Sequence, residues 1–97
     1  MAEQIMKLIW TDPAEFDLED IQQYIYNDNP KAAPKVALYI IDKVEALLPQ
    51  NPRIGRAGQV LGTRELVIQK YPYIVPYRVI ENKLYILRVL HTSKKLG

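Results

Sequence analysis

The side chains of this 97-residue chain best suited to chemistry lie in its second half. Its one histidine, His91, opens the segment HTSKKLG and forms a small basic cluster with Lys94 and Lys95. An imidazole titrates near neutral pH and can act as a general acid or base, while neighbouring lysines can hold an anion. Arg78 and Tyr85 are expected on the same sheet face as His91, so Tyr85 is the tyrosine to watch for contact with a bound partner. Arg53 and Arg56 lie in NPRIGRAGQVLG, where each is either a solvated loop cation or a phosphate contact. Arg64 and Glu65 are strand neighbours and so point to opposite faces. Each either contacts a partner or joins a structural ion pair, with Arg78 or Arg88 as candidates.

Several chemistries are excluded. Without cysteine there is no disulfide and no thiolate zinc site, and one histidine cannot make a histidine metal cluster. No metal and no cofactor is expected. GRAGQVLG lacks the spacing and the Gly-Lys-Ser/Thr ending of a phosphate-binding loop. The carboxylates from Glu15 to Asp28 form no metal loop and read as a solvated acidic helix face. A net charge of +2 is too mild to announce nucleic acid by itself. No apolar run approaches the roughly 20 residues that cross a bilayer. A cytoplasmic protein without membrane contact is expected.

The elements that must position these residues are legible as patterns. IMKLIW, residues 5–10, is a short β-prone run ending at TDP, where Asp12 is expected to cap a helix and Pro13 to occupy its first position. Phe16, Ile21, Tyr24 and Ile25 recur at helical spacing, with acidic residues toward the helix start. NDNP breaks this helix. Ala33, Val36, Ala37, Ile40, Ile41, Val44, Leu47 and Leu48 carry a second, more apolar one toward Pro49 or Pro52. Residues 51–62 read as a loop. Three β-prone runs follow, at 63–68, 73–80 and 84–91, the last two joined by Glu81-Asn82, with Asn82 supplying a positive φ.

A two-residue turn there sets Ile80 opposite Lys83, Arg78 opposite Tyr85 and Tyr73 opposite Leu90. Tyr73, Val75, Tyr77, Val79, Leu84, Ile86, Arg88 and Leu90 then share the face expected under the helices, where Arg88 needs a carboxylate. Pro76 complicates this register, because one inserted residue near it exchanges the faces beyond. The order is β-α-α-β-β-β. That is a single α+β domain, a two-layer sandwich of a two-helix hairpin on a small sheet with an antiparallel C-terminal meander.

WTDPAEFDLEDIQQYI, NPKAA, NPRIGRAG, GTRELVI, YPYIVPYRV and ILRVLHTSKK follow one another in an order that resembles the RelE/ParE toxins of bacterial type II toxin–antitoxin modules. The resemblance spans nearly the whole chain and implies the same βααβββ fold. It implies a toxin held inactive by a cognate antitoxin in a hetero-oligomer, with no cofactor. RelE-like members cut mRNA in the ribosomal A site, whereas ParE-like members poison DNA gyrase. The first activity requires a base for the 2′-hydroxyl, cations for the phosphorane charge and an acid for the leaving oxygen. Aligned by role, Ile74 falls where many ribonuclease members carry arginine, and Glu65 and Val67 fall where RelE has lysines. His91 matches a histidine of several ribonuclease members, and ParE-like members often share it.

The resemblance therefore leans to the ParE-like branch, with DNA gyrase as target and Arg53, Arg56, Arg64, Glu65, Arg78, Tyr85, Lys94 and Lys95 as target-binding candidates. The alternative is a ribosome-dependent endonuclease acting on mRNA in the 70S ribosome, with His91 catalytic. Related sequences commonly finish with an aromatic residue and proline, where this chain has Leu96 and Gly97.

Overall fold

The computed structural model describes residues 6–94. Strand β1 (Lys7–Trp10) leads into helix α1 (Asp12–Asp28), and α2 (Ala32–Leu47) returns across it. Four further segments, β2 (Arg56–Ala57), β3 (Arg64–Ile68), β4 (Tyr73–Ile80) and β5 (Lys83–Ile86), complete a sheet ordered β1-β5-β4-β3-β2, and β6 (Leu90–His91) pairs with β4 beyond β5. All neighbours are antiparallel except β1 and β5. The α+β two-layer order expected from the sequence is the one observed.

Helix α1 begins one residue earlier than its sequence suggests. Thr11, not Asp12, is the N-cap: its Oγ1 accepts from Ala14 N–H at 3.4 Å and donates to Ile86 O at 2.6 Å. One hydroxyl thus caps the helix and ties it to β5, which Asp12 could not do because a carboxylate has no proton to donate. The buried stripe of α1 is Ala14 and Leu18, continued by half-buried Ile21 and Ile25. Phe16 and Tyr24 lie off that stripe and are exposed, contrary to the spacing argument, because at 100° per residue neither falls in line with Ala14 and Leu18. Helix α2 buries Ala33, Val36, Ala37, Ile40 and Val44, with Leu48 at its end, as its periodicity predicts.

These helices cover one face of the sheet. Leu66, Ile68, Tyr73, Val75, Tyr77, Leu84 and Ile86 meet them in one cluster. Residues 51–62, expected as a loop, contain β2, and Tyr77 explains how they are held. The buried phenol accepts from Gly55 N–H at 2.9 Å and donates to Pro52 O at 2.8 Å. A Cβ on Gly55 would stand 2.6 Å from that phenol oxygen and 2.8 Å from Glu65 O, so only glycine fits there. Burial pushes the Tyr77 hydroxyl above its ordinary pKa, with the Gly55 hydrogen bond and the Arg64 charge pulling the other way.

The β4–β5 hairpin has the expected register near its turn, with Ile80 opposite Lys83 and Arg78 opposite Tyr85. The positive φ falls on Glu81, at 55°, rather than on Asn82. Further along, the pairing slips. Tyr73 faces His91 and Ile74 faces Leu90, so one extra residue lies in Leu87–Val89, between β5 and β6. Leu87 N–H donates to Pro76 O at 2.9 Å inside this bulge, opposite the proline that cannot donate back. The exchange of faces follows: Val89, not Arg88, enters the core, Arg88 turns to Asp17 on α1, and Leu90, expected under the helices, passes to the face of Ile74.

Candidate functional site: the open sheet face

The face turned away from the helices is built row by row from the register. Lys7, Lys83 and Ile80 make one row, and Ile9, Tyr85 and Arg78 the next. Pro76, Glu65 and Arg56 follow, then Leu90, Ile74 and Val67.

Glu65 is the buried carboxylate of this face, 5% exposed, and Arg56 Nε donates to it at 3.0 Å. Arg56 is therefore committed to an ion pair rather than free in a loop, although its side chain keeps 48% of its exposure. The partner expected for Glu65, Arg78 or Arg88, is replaced because β2 brings Arg56 into direct register with it. Arg78 lies under the 58–63 turn, where its Nη2 donates to Leu61 O at 3.3 Å. Its Nε is buried with no partner among the described residues.

Arg64 points to the other side and fastens the loop before β2, donating to Gly55 O at 2.9 Å and Arg53 O at 3.3 Å. Arg53 is exposed. Lys94 closes a 3-10 turn with Thr92 and Ser93. Lys95, Leu96 and Gly97 lie outside the described residues.

His91 does not join Arg78 and Tyr85. The bulge carries it to the side of Tyr73, whose ring it meets edge-on at 5.4 Å between centroids. Its Nδ1 accepts from Ser93 N–H at 3.1 Å and lies 2.8 Å from Ser93 Oγ. A backbone donor at Nδ1 puts the proton of the neutral ring on Nε2, leaving that nitrogen a donor rather than a base. The sequence reading missed Lys7 and Lys83. The signal for their shared face was present in the alternation of Lys7 with Leu8 and of Lys83 with Leu84. Their juxtaposition was not, because it depends on a parallel pairing between the two ends of the chain.

Among the described residues no group of three His, Cys, Asp or Glu side chains is placed to hold a metal ion. No helix among them is long and apolar enough to cross a membrane.

A helix hairpin covers one face of the mixed sheet, and the other face carries Lys7, Lys83, Arg78 and Tyr85. The family model described as the ParE toxin of type II toxin–antitoxin systems, parDE, matches residues 8–96, and the chain belongs to this RelE/ParE toxin family. It is 40% identical over 89 residues to the putative toxin Y4kP of Sinorhizobium fredii, covering 92% of this chain and 91% of that protein. It is 32% identical over 88 residues to Toxin RelE2 of Caulobacter vibrioides, covering 91% and 97%. Among solved structures it is similar to a chain of the chromosomal ParDE system from P. aeruginosa, with a TM-score of 0.85, 32% identity and coverage of 92% and 98%. A chain of the toxin–antitoxin complex RelBE2 from Mycobacterium tuberculosis, at 20% identity, TM-score 0.70 and coverage of 93% and 94%, shares the fold.

Proposed function

We propose that this type II toxin acts by binding DNA gyrase and so blocks replication. The observation that carries the reading is the filling of the open face between β3, β4 and β6. Glu65, Val67 and Ile74 occupy the places where the resemblance puts the cations of an RNA-cutting member, and Ile74 is 1% exposed beside Leu90. Cleavage of RNA without a metal requires cations at the phosphorane and a base at the 2′-hydroxyl. Glu65 is already engaged by Arg56, and His91 is on the other side of the sheet with Nδ1 occupied. A gyrase target implies action in the cytoplasm.

A cognate antitoxin is the second partner. Two open grooves support an antitoxin segment laid along the toxin as helix and strand. One runs across the helix hairpin past Gln22, Tyr26 and Ala33. The other, about 430 Å³, lies between Tyr39, Lys43 and Leu47 of α2 and the edge of β3 at Leu66–Ile68.

The rival reading is a ribosome-dependent mRNA endonuclease, with His91 as acid or base and Arg56, Arg78, Lys94 and Lys95 as phosphate contacts. The identity to a protein named Toxin RelE2 favours it. One pair of assays separates the two: inhibition of gyrase supercoiling with accumulation of cleavage complexes, and cleavage of mRNA on programmed ribosomes. The gyrase reading expects supercoiling to be inhibited equally by the wild type and by His91→Ala. Supercoiling untouched at toxic doses, with A-site cuts that disappear in His91→Ala, establishes the rival instead.

A further inference from the structure

Charge is segregated along this chain, and helix α1 is acidic throughout. Residues 1–50 carry four Lys and Arg against nine Asp and Glu, whereas residues 51–97 carry nine against two. Such asymmetry within a nearly neutral protein points to a polyanionic partner for the basic part. The fold sharpens it. Helix α1 holds Asp12, Glu15, Asp17, Glu19, Asp20 and Asp28 with no Lys or Arg, on the side away from the open sheet face.

That face recruits Lys7 from the acidic half. Lys7 and Lys83 stand directly opposite each other on β1 and β5, both exposed. Neighbouring strands lie only about 4.8 Å apart, so two like charges in register repel each other, and an anion between them relieves that repulsion. One row along is Arg78, half-buried, with Nε lacking a partner among the described residues. Tyr85 lies between the lysines and Arg78 and is the face's sole aromatic among the described residues. Single strands are held by several exposed rings on which bases stack, so one tyrosine among cations fits a phosphate backbone better than a run of bases.

We infer that the open sheet face from Lys7 and Lys83 to Arg78 docks the phosphate backbone of duplex DNA, with acidic α1 turned away. The choice of DNA rests on the gyrase reading; the cationic face does not. Binding there is sequence-independent and strongly weakened by salt. Acidic α1 repels a polyanion, which favours approach from the sheet face.

The test is fluorescence anisotropy of the full chain with a labelled duplex oligonucleotide of arbitrary sequence across a salt series. The double variant Lys7→Glu/Lys83→Glu is expected to lower the slope of log K against log salt by about two and weaken binding at least ~10-fold at low salt. Lys35→Glu, on exposed α2 surface, leaves both unchanged. Lys83→Glu alone replaces the repelling pair by an attracting one, so it weakens binding while the melting temperature holds or rises. That separates lost contact from lost fold.

Duplex binding that is absent at low salt, or unaltered in the double variant, overturns the inference. So does tighter binding of single-stranded DNA, RNA or polyglutamate to the same face. Supercoiling inhibition is read in parallel: inhibition that persists without duplex binding refutes the DNA face and leaves the gyrase reading intact. Duplex binding through the lysines without inhibition refutes the gyrase reading and leaves the face intact.

Discussion

The carboxylate of Asp17 takes Arg88 Nε at 2.7 Å and Nη2 at 3.0 Å, and the Val89 N–H at 2.9 Å. One side chain on α1 thus secures the bulge that decides which way β6 presents its residues. The two hydrogen bonds from Arg88, ahead of the charge attraction, hold its guanidinium above its ordinary pKa against the opposing effect of burial.

The two partners are not equivalent. Asp17→Ala strands the N–H of buried Val89 and frees the bulge, at a cost of about 2 kcal/mol, while Arg88→Ala leaves the carboxylate its backbone donor and costs about 1 kcal/mol. Both figures are kept low because the Arg88 side chain is 41% exposed. Urea melts of the two variants check the order. A larger loss in Arg88→Ala contradicts it.

Arg56 and Glu65 show a steeper asymmetry. Glu65 has a side chain only 7% exposed while that of Arg56 is 48% exposed, so Arg56→Ala leaves an unpaired, poorly solvated carboxylate in the sheet and costs about 2 kcal/mol. Adding Glu65→Leu to that variant recovers most of the loss, since it removes the buried charge left without a partner. Thermal melts at matched pH give the comparison, and no recovery in the double variant refutes it.

Tyr77→Phe removes the acceptor of Gly55 N–H and the donor to Pro52 O, and about 2 kcal/mol of stability goes with them at neutral pH. The pH dependence has a definite sign. The folded-state pKa of the phenol is raised above the ordinary 10.0, so its contribution is fully present below pH 10 and is lost as pH rises through the folded value. Tyr73, raised by burial and by the neighbouring Tyr24, acts in the same direction. Stability of the wild type therefore falls above pH 10, and the fall is shallower in Tyr77→Phe. Denaturant midpoints from pH 8 to 11 measure it, and equal slopes count against the assignment.

Glu81 sits at φ 55°, a conformation that costs a side chain about 1 kcal/mol relative to glycine. Glu81→Gly relieves that strain at the hairpin turn and raises stability by about 0.5 kcal/mol after the added freedom of the unfolded chain is subtracted. Asn82→Gly, where no positive φ is found, lowers it. Comparing the two melting temperatures tests the placement of the turn.

Much of this protein was legible locally. Period-3.6 burial in α2, the breaks at Pro30 and Pro49, and the alternation in β3 to β5 are each set by a few consecutive residues, so the β-α-α-β-β-β order and the register beside Glu81-Asn82 could be read directly. Reading also placed Glu65 and Ile74 in the sheet and showed that Arg88 needed a carboxylate. What the tertiary structure alone decided depends on partners distant in sequence. One residue in Leu87–Val89 reverses every face beyond it, because strand side chains alternate with a period of two. It moves His91 to Tyr73, releases Arg88 to Asp17 and leaves Arg78 with Tyr85. The parallel pairing of β1 with β5 likewise sets Lys7 beside Lys83, 76 residues away in sequence, and no local pattern specifies which strand a distant edge will join.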